Sequence, residues 1–495
     1  MRNFLLILGL VILVPGGCKD DVPLPNILVF LADDLGYGDL GCYGSPIIQT
    51  PNIDQLAAEG VRMTDCHSGG TVCSPSRSAL LTGRNPYRSG FFYISGGDTF
   101  LQDDEVTIAE ILQTRGYETS FWGKWHLSYL EKGRRDQPGP GDQGFDYWMG
   151  TTVNAFDGPA NAGKFIRNGE PVGQVEGWYC DVIVDEACDW LRTKRNPDKP
   201  FFMYVASHEP HTPISPPLEY SERYNNRETD DLERGIEYGR VKRPVKDISA
   251  NKSEYYGTVT QLDDAFGRLM AALEGLGLKN NTLVIFTSDN GPETPVTFEE
   301  SLGEWEDPIR DKCFGSPGKL KGMKRYPYEG GHRVPGIARF PGVIPEGIES
   351  DILFNGCDFL PTFCQLVNVQ VPSDRAIDGM DAFGAFLNEK TKREVPSIWF
   401  YPHYGDTYFR MPQMSMRKDD YTLIGWLPEK PDSLDLKTWM IMHDPQKFEL
   451  YDVALDPNQI RDISEQEPDV VASLGKEMTL LWREMRDEGL ARKKR

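Results

Sequence analysis

Apolar residues form short, nearly continuous runs at three places in the chain, over residues 27–32, 201–206 and 283–287. Runs of this kind predict strands that are buried on both faces, as in a parallel sheet. A weaker run over residues 117–122 predicts a fourth strand. Apolar positions spaced by three or four residues predict helices between the strands, most clearly over residues 253–273. This alternation predicts an α/β fold with a large, mostly parallel sheet sandwiched by helices.

The pattern changes after about residue 375. Short strand-like runs, separated by turns rich in Pro, Asp and Lys, lead to a helix-like stretch over residues 469–486. These signals predict a small antiparallel sheet with one packed helix. We therefore expect a larger α/β domain over residues 24–375 and a C-terminal α+β subdomain over residues 376–495.

The N-terminal apolar run over residues 4–14 is too short to span a bilayer and is typical of a secretory signal. We predict a signal peptide over residues 1–18 and an exported protein, either periplasmic, attached to the cell surface or secreted. Cys18 follows two glycines, as at a bacterial lipoprotein cleavage site, whereas Pro15 departs from the aliphatic residue that is usual there. Lipidation of Cys18 and simple cleavage both stay open, and no later segment predicts a transmembrane span.

The chain is strongly acidic, with 53 Lys and Arg against 75 Asp and Glu and a formal net charge of −22. Nucleic-acid binding needs a basic surface, so a nucleic-acid partner is not expected. An acidic protein can still bind an anionic ligand where a bound cation and clustered basic side chains reverse the local field.

The spacing of the nine cysteines indicates neither a metal site nor a set of disulfide pairs. None has the Cys-x-x-Cys spacing of a structural zinc site. Setting aside Cys18 and Cys73 leaves an odd number, which cannot be fully paired in disulfides. These are Cys42, Cys66, Cys180, Cys188, Cys313, Cys357 and Cys364.

The most informative string lies at residues 73–84, which begin Cys-Ser-Pro-Ser-Arg and end Thr-Gly-Arg. Ser74 and the proline after it predict the start of a helix, with Ser74 as the cap and the proline in the first turn. The positive end of the helix dipole then meets Cys73 and favours an anion there. Arg77 and Arg84 lie on nearly the same face of such a helix. We therefore expect a nucleophile beside two cations, a site for a tetrahedral oxyanion.

This string resembles the signature of the type I sulfatases of the alkaline phosphatase superfamily, Cys-x-Pro-x-Arg followed by Thr-Gly-Arg. The resemblance covers residues 26–462 and implies an alkaline phosphatase-like fold. It implies that Cys73 is oxidised to formylglycine (3-oxoalanine) by a formylglycine-generating or anaerobic maturation enzyme, and that the hydrated aldehyde is the nucleophile. It also implies that Arg77 fixes that nucleophile and the metal-site carboxylates. The alternative is an ordinary buried thiol.

Oxygen ligands follow two of the predicted strands, Asp33 and Asp34 after the first and Asp289 and Asn290 after the third. Ligands of doubly wound α/β folds bind beyond the carboxyl ends of the strands, so these four side chains are expected at one site. Carboxylate and amide oxygens favour calcium or magnesium over zinc. All four match the metal positions of the sulfatases, with residue Cys73 as a further ligand, and the resemblance favours Ca²⁺ with Mg²⁺ as the alternative. Each pair taken alone is also an ordinary turn.

Two further strings carry basic side chains. Lys124 and His126 lie in Gly-Lys-Trp-His, which matches the family, and an extended segment would place both on one face. The resemblance implies sulfate contact for Lys124 and proton removal by His126, a group that titrates near neutral pH. The Pro-His-x-Pro string of His211 resembles the loop whose histidine contacts the ester oxygen. His208 either binds substrate or makes a structural hydrogen bond.

Lys324 lies five residues before the glutamate of Tyr-Glu-Gly-Gly. The family pattern is Lys-Gly, two variable residues, then this string. Here Arg325 replaces the glycine and Pro327 intrudes, so the local backbone is expected to differ. Lys319 and Lys321 compete for the role of the family lysine, and we favour Lys324.

The resemblance implies a reaction in which a hydroxyl of the hydrated aldehyde at position 73 attacks sulfur, with Asp289 as proton acceptor. His211 or Lys324 protonates the leaving alcohol. His126 then deprotonates the second hydroxyl, and the aldehyde forms again as sulfate leaves. An ordinary Ser or Cys nucleophile would instead need water to attack sulfur.

We therefore predict a sulfuric ester hydrolase that removes sulfate from a sulfated carbohydrate or an aryl sulfate. Two alternatives stay open: a phosphodiesterase or phosphonate monoester hydrolase of the same superfamily, and a catalytically inactive glycan-binding relative. The sequence indicates neither the sugar nor the sulfate position, and it assigns no role to His332 or His443. Loop placement alone suggests a pocket wall, with His403 as a substrate-binding residue, made of Tyr93, Asn154, His403 and Tyr404.

Overall fold

The computed structural model describes residues 23–131, 137–155, 157–225, 249–293, 313–401 and 412–492. The strands are β1 (Asn26–Ala32), β2 (Val61–Met63), β3 (Cys66–His67), β4 (Glu118–Lys124), β5 (Tyr147–Thr151), β6 (Phe165–Arg167), β7 (Glu170–Gly173), β8 (Phe201–Ala206), β9 (Thr282–Ser288), β10 (Gly336–Arg339), β11 (Ile348–Ser350), β12 (Phe354–Asn355), β13 (Ser397–Phe400), β14 (Met414–Lys418), β15 (Tyr421–Trp426) and β16 (Lys447–Asp452). The helices are α1 (Pro51–Ala58), α2 (Cys73–Thr82), α3 (Ile108–Gln113), α4 (Tyr179–Thr193), α5 (Leu218–Glu222), α6 (Ser249–Gly275), α7 (Glu329–His332), α8 (Phe359–Leu366), α9 (Leu436–Met442) and α10 (Pro468–Ala491).

Ten strands form one sheet in the order β11-β2-β10-β9-β1-β8-β4-β5-β6-β7. Its central block of β9, β1, β8, β4 and β5 is parallel, and the antiparallel pairings lie outside that block. Alternate residues of β1 enter two different cores, Leu28 and Phe30 on one face and Ile27 and Val29 on the other. Helices therefore cover both faces, which is why these strands read as unbroken apolar runs. The predicted α/β fold with a mostly parallel sheet is confirmed.

The long helix α6 packs one face of the sheet. Its apolar positions Val259, Leu262 and Phe266 are fully buried, and the Phe266 ring meets Phe30 of β1 edge-on at 5.3 Å between centroids. Gly277 follows with φ +68°, a conformation that favours glycine over other residues. Spacing by three and four residues therefore located this helix correctly from the sequence.

The C-terminal part contains an antiparallel sheet in the order β13-β14-β15-β16. Helix α10 packs on it, and Met478 and Trp482 of the helix lie in a core with Met416 and Leu423 of the sheet. The predicted small antiparallel sheet with one helix is confirmed. The boundaries 24–375 and 376–495 stay a prediction.

The predicted signal peptide over residues 1–18, with Cys18, lies outside the described residues. Within the described ranges, no helix combines the length and apolar character needed to cross a bilayer. All eight cysteines in those ranges are free thiols.

Candidate active site

The carboxyl ends of the central parallel strands bring polar residues together at one edge of the sheet. Strands β1 and β9 end in register, so Asp33 and Asp289 leave the sheet side by side. The amide of Asp289 donates to Ala32 O at 3.0 Å, and the amide of Asp34 donates to Asp289 Oδ1 at 3.3 Å. Strand β4 ends at Lys124, whose ammonium contacts the carboxylate of Asp33. The predicted convergence of strand ends is therefore present.

Cys73 is the first residue of helix α2, and Val72 occupies the N-cap in an extended conformation. The prediction that Ser74 caps this helix is wrong. Ser74 lies inside the first turn, where its Oγ accepts a hydrogen bond from the amide of Ser95 at 2.9 Å. The helix N-terminus still lies at Cys73, and the Cys73 Sγ is 3.4 Å from Asp33 Oδ1.

The Cys73 thiol is not activated by this environment. Burial raises its pKa well above the usual range, and the carboxylate of Asp33 adds to that effect. Lys124 and Lys324 act in the opposite direction without cancelling it. Unmodified Cys73 is therefore a neutral thiol at neutral pH and a poor nucleophile, despite its place at a helix N-terminus.

Arg77 joins helix α2 to the strand ends. Its Nε and Nη2 donate to Asp289 Oδ2 at 2.9 and 2.8 Å, and its Nη1 donates to Lys124 O at 2.6 Å. A second carboxylate, Asp33, lies 3.5 Å from Nη2. The guanidinium is fully buried, and a fork of this geometry fixes carboxylates in position.

Arg84 does not lie at this site. Of the two cations predicted beside Cys73, Arg77 is present, and the prediction for Arg84 is wrong. The helix ends at Thr82, and Gly83 follows with φ +69°, which redirects the chain. Arg84 is buried against Glu105, with Nη1 at 3.2 Å from both carboxylate oxygens, and it also pairs with Glu488 of helix α10. Its contacts are those of a structural ion pair between the sheet region and the C-terminal helix.

Three buried carboxylates, those of Asp33, Asp34 and Asp289, lie together beside Cys73, Arg77 and Lys124, and we call this group of side chains the Cys73 cluster. Burial raises the pKa of Asp34 to about 7, and Asp33, Glu293 and Asp289 add to the rise. Burial and then Asp33 raise the pKa of Asp289. Burial alone would also raise the pKa of Asp33, but Lys124 and the other nearby cations hold it well below its usual range. Mutual repulsion of this kind favours additional bound positive charge.

The donor set fits a hard cation. Ligand atoms of Asp33, Asp34, Cys73 and His211 lie within 4.8 Å of one another. The amide of Asn290 donates Nδ2 to Asp34 Oδ1 at 2.7 Å, and its own Oδ1 is buried with no hydrogen-bond partner among the described residues. A buried oxygen left without a partner beside carboxylates fits a Ca²⁺ or Mg²⁺ ligand.

Lys124 and His126 both lie at the site, but not by the predicted geometry. Strand β4 ends at Lys124, and His126 has φ +55°, so the pair is not on one extended segment. The amide of His126 donates to Thr152 O at 2.9 Å, while its Nδ1 is buried and has no partner in the described part of the chain. Burial and then Lys124 hold the pKa of His126 well below its usual range, so the ring is neutral. Gly123 is needed here, because a Cβ would lie 2.1 Å from Ala206 O.

His211 approaches the carboxylates from the loop after β8. Its Nδ1 lies 2.7 Å from Thr212 O and its Nε2 lies 3.5 Å from Asp34 Oδ2. The side-chain amide of Asn154 lies 2.6 Å from Nδ1 and 3.0 Å from Nε2, so this predicted pocket-wall residue contacts the histidine directly. His208 is fully buried with Nε2 at 3.3 Å from Pro213 O, as expected for a structural hydrogen bond.

Lys324 is the lysine that the structure brings to the cluster. Its Nζ lies 2.8 Å from Asp34 Oδ2 and 3.5 Å from Glu293 Oε2. Lys321 instead bonds the hydroxyl of Tyr451 at 2.9 Å, and Lys319 is exposed. Arg325 takes φ +77°, a left-handed conformation that favours glycine over arginine. The expectation that the local backbone differs from the family pattern stays a prediction.

The family model for sulfatases matches residues 25–369, and the model for the C-terminal part of N-sulphoglucosamine sulphohydrolase matches residues 322–485. Human arylsulfatase A is 35% identical over 408 residues, which cover 77% of this chain and 71% of that protein. The chain belongs to the sulfatase family. The N-acetylgalactosamine-6-sulfatase of Canis lupus familiaris is 33% identical over 412 residues, 77% of this sulfatase and 69% of the relative.

Solved structures agree with this assignment. The crystal structure of Ps i-CgsB in complex with k-i-k-neocarrahexaose is 25% identical to this sulfatase with a TM-score of 0.72, and the match covers 93% of both chains. The phosphonate monoester hydrolase of Agrobacterium radiobacter is 18% identical with a TM-score of 0.61, over 94% of this chain and 96% of that one. That second likeness shows the shared fold alone.

Sequence reasoning missed one residue of this sulfatase's site. Glu293 lies between Lys324 and Arg325, at 3.5 Å from the ammonium and in contact with the guanidinium. No motif marks a glutamate at this position, because its role depends on partners about thirty residues away. The predicted residues His403 and Tyr404 lie outside the described residues.

The position of Arg84 gives a prediction that separates structural from catalytic arginines in this sulfatase. We expect Arg84→Met to lower the free energy of unfolding by about 3 kcal/mol, because it leaves the buried Glu105 with one cation fewer. The kcat/KM of the folded variant should stay within about threefold of wild type, since Arg84 contacts no group of the Cys73 cluster. Urea denaturation and turnover of a sulfate ester check both values. Loss of turnover without loss of stability would contradict the structural role and indicate that Arg84 acts in the active site.

Proposed function

We propose that this sulfatase hydrolyses a sulfate ester of a carbohydrate, with residue 73 oxidised to formylglycine and a Ca²⁺ ion bound beside it. One observation carries the proposal. A helix N-terminus places Cys73 against Asp33 inside a buried cluster that also contains Arg77, Lys124 and Lys324. Positive groups around one nucleophile position suit a sulfate group.

The neutral thiol supports the modification. A thiol or hydroxyl that had taken up a sulfate group would release it only if water attacked sulfur. A hydrated aldehyde carries a second hydroxyl and so supplies its own route for releasing sulfate. Oxidation of Cys73 would require a formylglycine-generating or anaerobic maturation enzyme as partner, and export through the predicted signal would follow.

The residues that would hold the cation are Asp33, Asp34, Asp289 and Asn290, with residue 73 as a further ligand. The buried Oδ1 of Asn290, which has no hydrogen-bond partner among the residues that the structure describes, and the repelling carboxylates support this assignment. Ca²⁺ is favoured, and Mg²⁺ is the alternative with the same donor preference. A cation bound there would neutralise sulfate oxygens and stabilise an oxyanion at position 73.

The remaining residues take roles that follow from their contacts. The ammonium of Lys124 contacts Asp33, and that of Lys324 contacts Asp34. Once these carboxylates bind the cation, both ammonium groups would bind sulfate oxygens. His126 is neutral, and its Nδ1 has no hydrogen-bond partner within the described ranges, which suits a proton acceptor. His211 lies with Nδ1 2.7 Å from Thr212 O and Nε2 3.5 Å from Asp34 Oδ2, so Nε2 is the ring nitrogen that faces the proposed cation site. His211 and Lys324 both remain candidates for protonating the leaving alcohol.

A carbohydrate substrate is supported by the relatives, among them an N-acetylgalactosamine-6-sulfatase and a structure in complex with a neocarrahexaose. The experiment is to co-express the chain with a maturation enzyme and to confirm the aldehyde at residue 73 by mass spectrometry. Turnover is then compared on 4-nitrophenyl sulfate, sulfated sugars and bis(4-nitrophenyl) phosphate. We expect preference for sulfate esters. Preference for the phosphate diester would favour the phosphodiesterase alternative, and no turnover by aldehyde-bearing protein would favour the binding-only alternative.

Lys324 and Lys321 form a matched pair for testing the role of the lysine. Lys324→Ala should lower kcat/KM for 4-nitrophenyl sulfate by about 10²- to 10³-fold, because a buried cation that would contact sulfate is removed. Lys321→Ala removes the same charge three residues away, where the ammonium contacts Tyr451, and should change kcat/KM by less than about threefold. Steady-state kinetics of both variants decide the point. Equal losses would contradict the assignment.

A further inference from the structure

The segment that leads into Cys73 is held at Ser68. The amide of Ser68 donates to His332 O at 2.8 Å, and its Oγ donates to Gly70 O at 2.6 Å. Its carbonyl accepts the indole Nε1–H of Trp399 at 2.6 Å. All three polar groups of Ser68 are therefore bonded five residues before the nucleophile.

Trp399 and His332 form one stacked unit. Their rings lie parallel within 8°, with centroids 3.8 Å apart, and both residues are fully buried. The His332 ring is also held in its plane, with Nδ1 at 2.9 Å from Nδ1 of His67 and Nε2 at 3.4 Å from Pro327 O. Trp399 belongs to β13 of the C-terminal sheet, so this sheet contacts the nucleophile segment directly.

Helix α7 connects this stack to the metal-site loop. Consecutive carbonyls of the helix bind two different segments: Gly331 O accepts the amide of Gly291 at 3.0 Å, and His332 O accepts the amide of Ser68. Gly291 directly follows Asn290, and a Cβ on Gly291 would lie 2.0 Å from Gly330 O, so the loop and the helix are in close contact. A shift of α7 would therefore move Cys73 relative to the oxygen ligands.

A neighbouring cluster of Asp65, His67 and Glu329 has ligand atoms close enough for a metal ion. Arg333 lies 3.5 Å from Asp65 and 3.2 Å from Glu329, and Arg417 lies 3.5 Å from Asp65. These guanidinium groups already balance both carboxylates. The cluster is therefore a structural ion-pair network that encloses the stack.

We propose that Trp399 and His332 are positioning residues for the nucleophile. Trp399 fixes Ser68 through its N–H, and the stack on His332 fixes helix α7, so that together they set the distance between residue 73 and the Asp289–Asn290 loop. Neither side chain touches substrate, and the inference rests on the proposed role of residue 73. The C-terminal sheet thereby takes part in catalysis without contributing a group to the reacting cluster.

Trp399→Phe tests this, because it keeps an aromatic ring for stacking but loses the N–H to Ser68. Trp482→Phe is the matched control: Trp482 is also fully buried in the C-terminal part and donates Nε1–H to a backbone carbonyl, His443 O at 3.3 Å. Both are measured in matured full-length protein with equal aldehyde content. We expect Trp399→Phe to lower kcat by about 10- to 100-fold with KM within about threefold, and Trp482→Phe to leave kcat within about twofold.

Ser68→Ala is the second variant, since it removes the Oγ–H bond to Gly70 O at 2.6 Å without opening a large void. We expect it to lower kcat about tenfold at unchanged KM. If folded Trp399→Phe and Ser68→Ala both retain wild-type kcat, the inference is overturned. Absence of turnover in the wild type would instead contradict the proposed function, so the two failures are distinguishable.

Discussion

Cys73→Ala is expected to abolish turnover of sulfate esters, with a loss of at least about 10⁵-fold in kcat. The reason is that the side chain at position 73 would carry the only group that forms a bond to sulfur in the proposed reaction. Folding should be little affected, because alanine fits the first turn of α2 and, within the described part of the chain, the thiol makes a single hydrogen bond, to Asp33 Oδ1 at 3.4 Å. Turnover of 4-nitrophenyl sulfate and the urea midpoint of unfolding are the measurements.

Cys364→Ala is the matched control for this substitution. Cys364 is a fully buried free thiol on helix α8, packed in the sheet core and away from the cluster. It should lose some stability by cavity formation, about 1 kcal/mol, and keep its kcat. Retention of even a tenth of wild-type turnover by Cys73→Ala would mean that water or another side chain attacks sulfur, and the proposed chemistry would fail.

Asp289→Ala is expected to lower kcat by more than about 10³-fold, equivalent to about 4 kcal/mol of transition-state stabilisation. This change removes one proposed metal ligand and also the two hydrogen bonds that Arg77 donates to Asp289 Oδ2, at 2.9 and 2.8 Å, while the bond from Arg77 Nη1 to Lys124 O stays. Arg77 would then turn toward Asp33, 3.5 Å away, and draw that carboxylate from the cation. Turnover is measured in matured protein saturated with Ca²⁺, so that weak metal affinity alone does not account for a loss.

Asp263→Ala controls for the loss of any buried carboxylate. Asp263 is fully buried on helix α6 and accepts hydrogen bonds from the amides of Asn52 and Ile53 at 3.1 and 2.8 Å. The control should lose stability, because the start of helix α1 loses its acceptor, and keep the kcat of the folded fraction. Full turnover of Asp289→Ala at saturating Ca²⁺ would contradict the metal site and with it the proposed mechanism.

Long-range partners limited what could be predicted about the arginines. Arg77 and Arg84 are both basic residues of one motif, and a helical projection places them on one face. Gly83 ends the helix before Arg84, whose partner Glu488 is 404 positions away along the chain. Helical spacing contains no information about such a partner. The sequence pattern therefore predicted Arg84 as a second cation at the site, whereas the fold places Arg84 elsewhere.

Local backbone conformation was a second limit. Ser74 has the side chain of a good cap, yet the extended Val72 takes that place and Ser74 bonds to Ser95 instead. Lys124 and His126 reach the cluster although His126 leaves the strand in a left-handed conformation. In both cases tertiary contacts overrode a local preference.

The sequence by itself determined the architecture and the edge of the sheet at which the candidate site lies. Strands buried on both faces must be apolar along their whole length, and parallel strands all end at one edge, so the polar residues that follow them must meet. Tertiary structure alone decided which basic residues join them, that Lys324 rather than Lys321 is in contact, and that Trp399 of the C-terminal sheet holds Ser68. These outcomes depend on packing between segments hundreds of residues apart, which no local pattern encodes.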